Sequence, residues 1–137
     1  MQGSLRMAHL VVGAVAIVAF LITGQIMGRL DPPVAEMEWA ERLLFRSRHI
    51  YLLASGLVNL ALGVHYLLPA GAARRGAAVT GSLLALASAL LLFFAFFAEP
   101  MAGRWPDKLS ALGLFAMFGG VLLFVAVSLR RRKELAA

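Results

Sequence analysis

Three histidines, at positions 9, 49 and 65, are the residues of this sequence best suited to ligand binding or proton transfer. His49 and His65 lie 16 residues apart, which is about 24 Å along a helix, so they cannot share one ligand. His9 lies near the start of one apolar run and His65 near the end of the next. Antiparallel helices would bring these two to a similar depth, so His9 and His65 are the pair that the sequence allows to meet.

Two neutral imidazoles on facing helices are the minimal protein contribution to a bis-histidine haem b site. Gly13 and Gly63 lie about one turn deeper than His9 and His65 and would leave room for a porphyrin edge. The same pair could instead handle protons, or both histidines could simply lie at the membrane interface. A metal site without haem is disfavoured, because two histidines without a carboxylate or thiolate fall short of three or four ligands.

A second candidate site is a polar stripe on the second apolar run. At about 100° per residue its members lie within about 40° of one another on a helix. The stripe consists of Arg48, Ser55, Asn59 and Tyr66. Asn59 falls near mid-membrane and needs a hydrogen-bond partner there, for which we expect Thr23 or Ser88. The stripe predicts either interhelical hydrogen bonds or a ligand-contacting path, such as a channel formed by several copies.

Long apolar runs must position these residues. A hydrophobic fraction of 61% and a mean hydropathy of +0.85 exceed what a soluble chain of 137 residues can bury. Four runs lack Asp, Glu, Lys and Arg and can each cross a roughly 30 Å hydrocarbon layer as a helix. They are residues 7–28, 50–68, 77–98 and 109–129. Without the alternation of a barrel, the sequence predicts an all-α integral membrane protein, one domain over residues 1–137 forming a four-transmembrane-helix bundle.

The connections between the runs also carry structural signals. Asp31 before two prolines indicates a turn, and the residues from Glu38 to Leu44 predict a short interfacial helix between the first two spans. Pro69 and Gly71 are expected to end the second helix, which makes the second and third helices an antiparallel hairpin.

The formal net charge of +6 collects on one side of this topology. Arg6, the Arg74 to Arg75 turn and the basic tail, residues 130–137, would lie together there. The positive-inside rule then places both termini in the cytoplasm, with a bacterial inner membrane as the expected location. Contacts with anionic lipid headgroups are expected for Arg46, His49, Arg74, Arg75, Arg130, Arg131 and Arg132. Nucleic acid is not an expected partner, because no recognition motif accompanies the charge.

The sequence contains no nucleophile motif, Gly-rich phosphate loop, HExxH or paired carboxylate, so an enzyme is disfavoured. The low polar content of the runs predicts a non-catalytic accessory or interaction subunit, within a larger membrane complex or a homo-oligomer. Small residues on the third and fourth runs, among them Gly81 and Gly120, indicate close helix packing. Two alternatives stay open: a haem b electron-transfer protein with His9 and His65 as axial ligands, and an oligomeric small transporter or channel.

Overall fold

The computed structural model describes residues 2–102 and 108–136, with side chains described for residues 2–100 and 108–128. Helix α1 spans Gln2–Met27, α2 spans Trp39–Val64, α3 spans Ala72–Ala102 and α4 spans Lys108–Ala136. A single turn of 3-10 helix, Val34–Glu36, lies between α1 and α2. The prediction of an all-helical fold with four long helices is confirmed.

Three of these helices are long and apolar enough to cross a membrane, over Gln2–Met27, Ala72–Pro100 and Lys108–Ser128. This is the composition of an integral membrane protein. Helix α2 falls outside this group; its first half carries Glu41, Arg42, Arg46 and Arg48, which lower its hydropathy. The fourth predicted span, residues 50–68, therefore stays a prediction.

The segment between α1 and α2 differs from the separate interfacial helix that the sequence predicts. Only the three residues Val34–Glu36 form a helix of their own, and residues 39–44 form the first turns of α2. Neither proline nor glycine occurs from Trp39 to Ser55, so nothing interrupts the helix between the interface and the bundle. Val34, Phe45 and Phe96 pack together and cover this end of the bundle.

Helix α2 ends at Val64, before the proline that was expected to stop it. The chain then runs without helix to Gly71, whose φ of +87° favours glycine, and α3 begins at the next residue. Because the helix ends before Tyr66, this side chain can point into the bundle, where it is 3% exposed and packs on the ring of Phe124.

The helices pack in chain order, α1 on α2, α2 on α3 and α3 on α4, whereas α4 touches α2 at few points. Helices α3 and α4 approach closely at Gly81 and Gly120. A Cβ built on either glycine would lie 2.6 Å from the carbonyl oxygen of the other. Small-residue packing between these helices, as predicted, is confirmed. Helix α4 is therefore held mainly from one side.

Candidate functional site

His9 is the centre of a hydrogen-bond network that joins three helices. Its side chain is 0% exposed. Nδ1 lies 2.7 Å from Oδ1 of Asn59 on α2, and Nε2 lies 2.6 Å from Oγ of Ser82 on α3. The network therefore fixes α1, α2 and α3 to one another at one level of the bundle.

The hydrogen bonds of Asn59 assign the proton on the His9 ring. The Asn59 amide nitrogen donates to the backbone carbonyls of Ser55 at 2.9 Å and Ala85 at 3.2 Å. Oδ1 is thus an acceptor, Nδ1 of His9 donates to it, and Nε2 of the neutral ring accepts from the Ser82 hydroxyl. Because every group has a partner of the right kind, the neutral Nδ1–H tautomer is the form that fits this apolar site.

The polar stripe predicted for the second run faces the inside of the bundle. Its members are all buried, namely Arg48, Ser55, Asn59 and Tyr66. Ser55 donates to the carbonyl of Leu52 within its own helix at 2.8 Å, whereas Asn59 bonds to both neighbouring helices. Within one chain the stripe is occupied by helix contacts, so a channel would have to form between copies. That alternative stays a prediction.

The partners expected for Asn59 are wrong. Thr23 Oγ1 donates to the carbonyl of Phe20 at 3.0 Å and lies 3.1 Å from Nδ1 of His49. Ser88 donates to the carbonyl of Ala85 at 2.7 Å. The cause is depth: α1 begins at Gln2, so His9 lies about two turns inside the helix and reaches the level of Asn59.

At the other end of the bundle, Arg48 of α2 meets Glu99 of α3. Nε of Arg48 donates to Oε2 of Glu99 at 2.9 Å, and the two side chains are 5% and 7% exposed. Oε1 of Glu99 accepts the backbone N–H of Ser110, in the first turn of α4, at 2.8 Å. A carboxylate is favoured at a helix N-terminus, so one side chain joins three helices here. No sequence signal points to this pair, because its two residues are 51 positions apart.

The side chains expected at lipid headgroups lie in different environments. Arg46 and Arg75 are exposed and Arg74 is half-buried, which leaves headgroup contact open to them. His49 instead lies between α1 and α2, where its ring stacks on Phe20 with 4.0 Å between the centroids. Headgroup contact is therefore not supported for His49. The side chains of Arg130, Arg131 and Arg132 lie outside those that the structure describes.

The geometry around His9 and His65 does not fit a pair of haem ligands. Both ring nitrogens of His9 are engaged by Asn59 and Ser82, while His65 is exposed at the end of α2. A Cβ on Gly63 would lie 2.8 Å from the Leu10 side chain, and one on Gly13 would lie 2.7 Å from the backbone of α2. The two glycines therefore allow α1 and α2 to touch and leave no slot for a porphyrin.

A groove of about 840 Å³ opens between α2 and α4. Its walls are mainly apolar, while Arg6, His65 and Ser128 line the end nearest the α2–α3 connection. Tyr66 forms part of the wall and lies 5.6 Å from the His9 ring, centroid to centroid. Its buried hydroxyl has no hydrogen-bond partner among the residues that the structure describes. The sequence offered no signal for this groove, because it depends on how far α2 and α4 stand apart.

Comparisons of the chain with protein-family models, with curated proteins and with solved structures give no match. The features of this chain that bear on its function are a closed polar network, a buried ion pair, an open groove and the exposed face of α4.

Proposed function

We propose that this protein is a non-catalytic accessory subunit of a membrane complex, and that it binds its partner through the outer face of α4. The outer face consists of Leu112, Phe115, Phe118, Gly119 and Leu122. The proposal places the protein in a bacterial inner membrane with both termini in the cytoplasm, as the charge distribution favours.

The observation that carries the proposal is the shape of this outer face. Phe115, Phe118 and Leu122 are 78%, 60% and 69% exposed. They recur at helical spacing and form one stripe. Gly119 lies beside them with open space around the position of a Cβ. The backbone of a second helix can approach closely at Gly119 and pack against the neighbouring rings, as in other membrane helix pairs.

The buried polar groups support the same proposal by fixing this surface. His9, Asn59 and Ser82 bond to one another, and Glu99 connects Arg48 to the first turn of α4. Interhelical hydrogen bonds of this kind contribute about 0.6–2 kcal/mol each in membranes. In this interpretation the polar side chains hold helices in place, so that α4 presents a rigid face to the partner.

A photo-crosslinking amino acid at Phe115 or Leu122 tests the proposal in cells that produce the protein. The matched control carries the same amino acid at Val15, an exposed position of α1. We expect one discrete protein adduct from both α4 positions and none from Val15. We also expect Gly119→Leu to abolish the adduct without lowering the unfolding temperature of the purified protein.

Two results would contradict the proposal. Lipid adducts alone at both α4 positions would show that this face meets only the bilayer. An adduct of twice the mass of the chain would identify a second copy as the partner, and the protein would then be a homo-oligomer and not an accessory subunit.

A further inference from the structure

We propose that the groove between α2 and α4 binds one anionic phospholipid of the surrounding bilayer, with the lipid phosphate at Arg6 and an acyl chain along the apolar walls. This site is separate from the outer face of α4 and goes beyond the accessory role proposed above.

The size and lining of the groove suit an amphipathic ligand. Its volume of about 840 Å³ falls within the range of roughly 300–1,000 Å³ that is usual for small-molecule sites. Val58 and Leu62 of α2 face Val121 and Phe124 of α4 across it. The groove is only partly enclosed, which leaves an opening through which a lipid can enter.

Polar groups occupy one end of the groove only. Arg6, His65 and Ser128 lie at that end. Val58 and Val121 lie seven residues before His65 and Ser128 on their helices, which places them about 10 Å deeper. A phospholipid has the same arrangement of polar and apolar parts as the groove, with a charged headgroup at the membrane surface and hydrocarbon below it. A small anion would leave the deeper part of the groove unfilled.

The charge at the polar end selects an anionic headgroup. Arg6 is exposed and forms no hydrogen bond or ion pair with any residue that the structure describes. A guanidinium presents N–H donors in a planar fork that matches two phosphate oxygens. Arg75 lies at the same end of the bundle and adds to the positive potential without lining the groove. The choline of a zwitterionic lipid would be repelled there.

Tyr66 is a further polar residue of the groove lining. Its ring forms part of the groove wall, and its buried hydroxyl finds no partner among the described residues. The glycerol ester and phosphate oxygens of a phospholipid lie next to its headgroup. In the proposed site these oxygens lie at the depth of Tyr66, just beyond the end of α2.

Binding can be measured by native mass spectrometry of the full-length protein in mild detergent. The probes are dioleoylphosphatidylglycerol, dioleoylphosphatidylcholine and the chain-free glycerophosphoglycerol. We expect the intact protein to retain one phosphatidylglycerol and to discriminate against phosphatidylcholine. Arg6→Gln should weaken phosphatidylglycerol binding roughly fivefold, the contribution of one basic side chain at an anionic lipid surface. Arg75→Gln removes the same charge outside the groove and should weaken binding much less than Arg6→Gln does.

A second pair of variants tests the apolar part of the site. Ala61 lines the groove and is exposed, so Ala61→Phe should fill the space for the acyl chain and abolish retention of the lipid. Ala14→Phe makes the same change on an exposed position of α1 outside the groove and should have no effect.

Each contrary result overturns the proposal. Equal losses for Arg6→Gln and Arg75→Gln would indicate general electrostatic attraction. Undiminished binding in Ala61→Phe would place the lipid elsewhere. Equal binding of glycerophosphoglycerol would identify a site for a free anion and not for a lipid. Because none of these variants lies on the outer face of α4, a failure here leaves the accessory role to be judged by its own test.

Discussion

Glu99 bonds through one carboxylate oxygen to Arg48 and through the other to the backbone N–H of Ser110. The contacts lie in helices α2, α3 and α4, so a single buried carboxylate fixes three helices at one end of the bundle. The charges of Arg48 and Glu99 are both nearly inaccessible to solvent. Removal of either side chain would break this buried ion pair, and removal of Glu99 would also break the hydrogen bond to Ser110.

We expect Glu99→Ala to lower the free energy of unfolding by about 3–5 kcal/mol, because it removes the carboxylate that bonds to the buried Arg48 guanidinium. The double variant Arg48→Met with Glu99→Gln should recover much of this loss, since no buried charge remains and the amide oxygen can still accept from Ser110. Reversible unfolding in mixed detergent micelles measures both. Equal losses in the single and double variants would show that the charge pair is not the source of the stability.

The tautomer of His9 is a direct consequence of the Asn59 hydrogen bonds. In protein with ¹⁵N-labelled histidine, the His9 ring should show a protonated Nδ1 and an unprotonated Nε2 at neutral pH. The variant Asn59→Leu removes the acceptor of the Nδ1 proton and should cost about 1–3 kcal/mol, the usual cost of a buried group left without its partner. A protonated Nε2 with a bare Nδ1 in the intact protein would contradict the assigned network.

Gly119 and Gly120 are neighbours in sequence with opposite surroundings. Gly120→Ala places a methyl group against the Gly81 carbonyl, so it should separate α3 from α4 and destabilise the protein. Gly119→Ala meets open space and should stabilise α4 by up to about 1 kcal/mol through helix propensity. Thermal unfolding of the two purified variants compares them. Stabilisation by both substitutions would show that the Gly81–Gly120 contact does not hold the helices together.

The course of α2 through the membrane can be tested by labelling, because the chain has no cysteine. Three exposed positions suit single cysteines: Ser4 in the first turn of α1, Ala35 between α1 and α2, and Ala70 after α2. An impermeant maleimide applied to sealed vesicles should label Ser4→Cys and Ala70→Cys from one side and Ala35→Cys from the other. Labelling of Ala35→Cys and Ala70→Cys from the same side would show that α2 does not cross.

The features that could be predicted from the sequence are those that depend on local composition. The apolar runs identify the helices, and the spacing of Ser55 and Asn59 shows which side of α2 is polar. The partners of these polar side chains depend on the rotation and depth of neighbouring helices. Hydropathy contains no information on helix rotation or depth, so the partners expected for Asn59, Thr23 and Ser88, are not the observed ones.

His9 shows most clearly that hydropathy does not give the depth of a residue within the bundle. The first apolar run begins at Met7, which makes His9 look like an interfacial residue, but the helix begins five positions earlier, at Gln2. Polar residues can extend a helix beyond its apolar part without any change in hydropathy. The histidine that the sequence offered as a cofactor ligand is in fact the centre of the packing between three helices.

The ion pair between α2 and α3 can form only at a late stage of the synthesis of the chain. Arg48 leaves the ribosome 51 residues before Glu99, the carboxylate that neutralises it. Helix α2 is not among the helices that are apolar enough to cross a membrane, and an arginine without a counter-charge is costly to place in a lipid environment. The contact between Arg48 and Glu99 can therefore form only after α3 has been made, so the final packing of α2 depends on the second half of the chain.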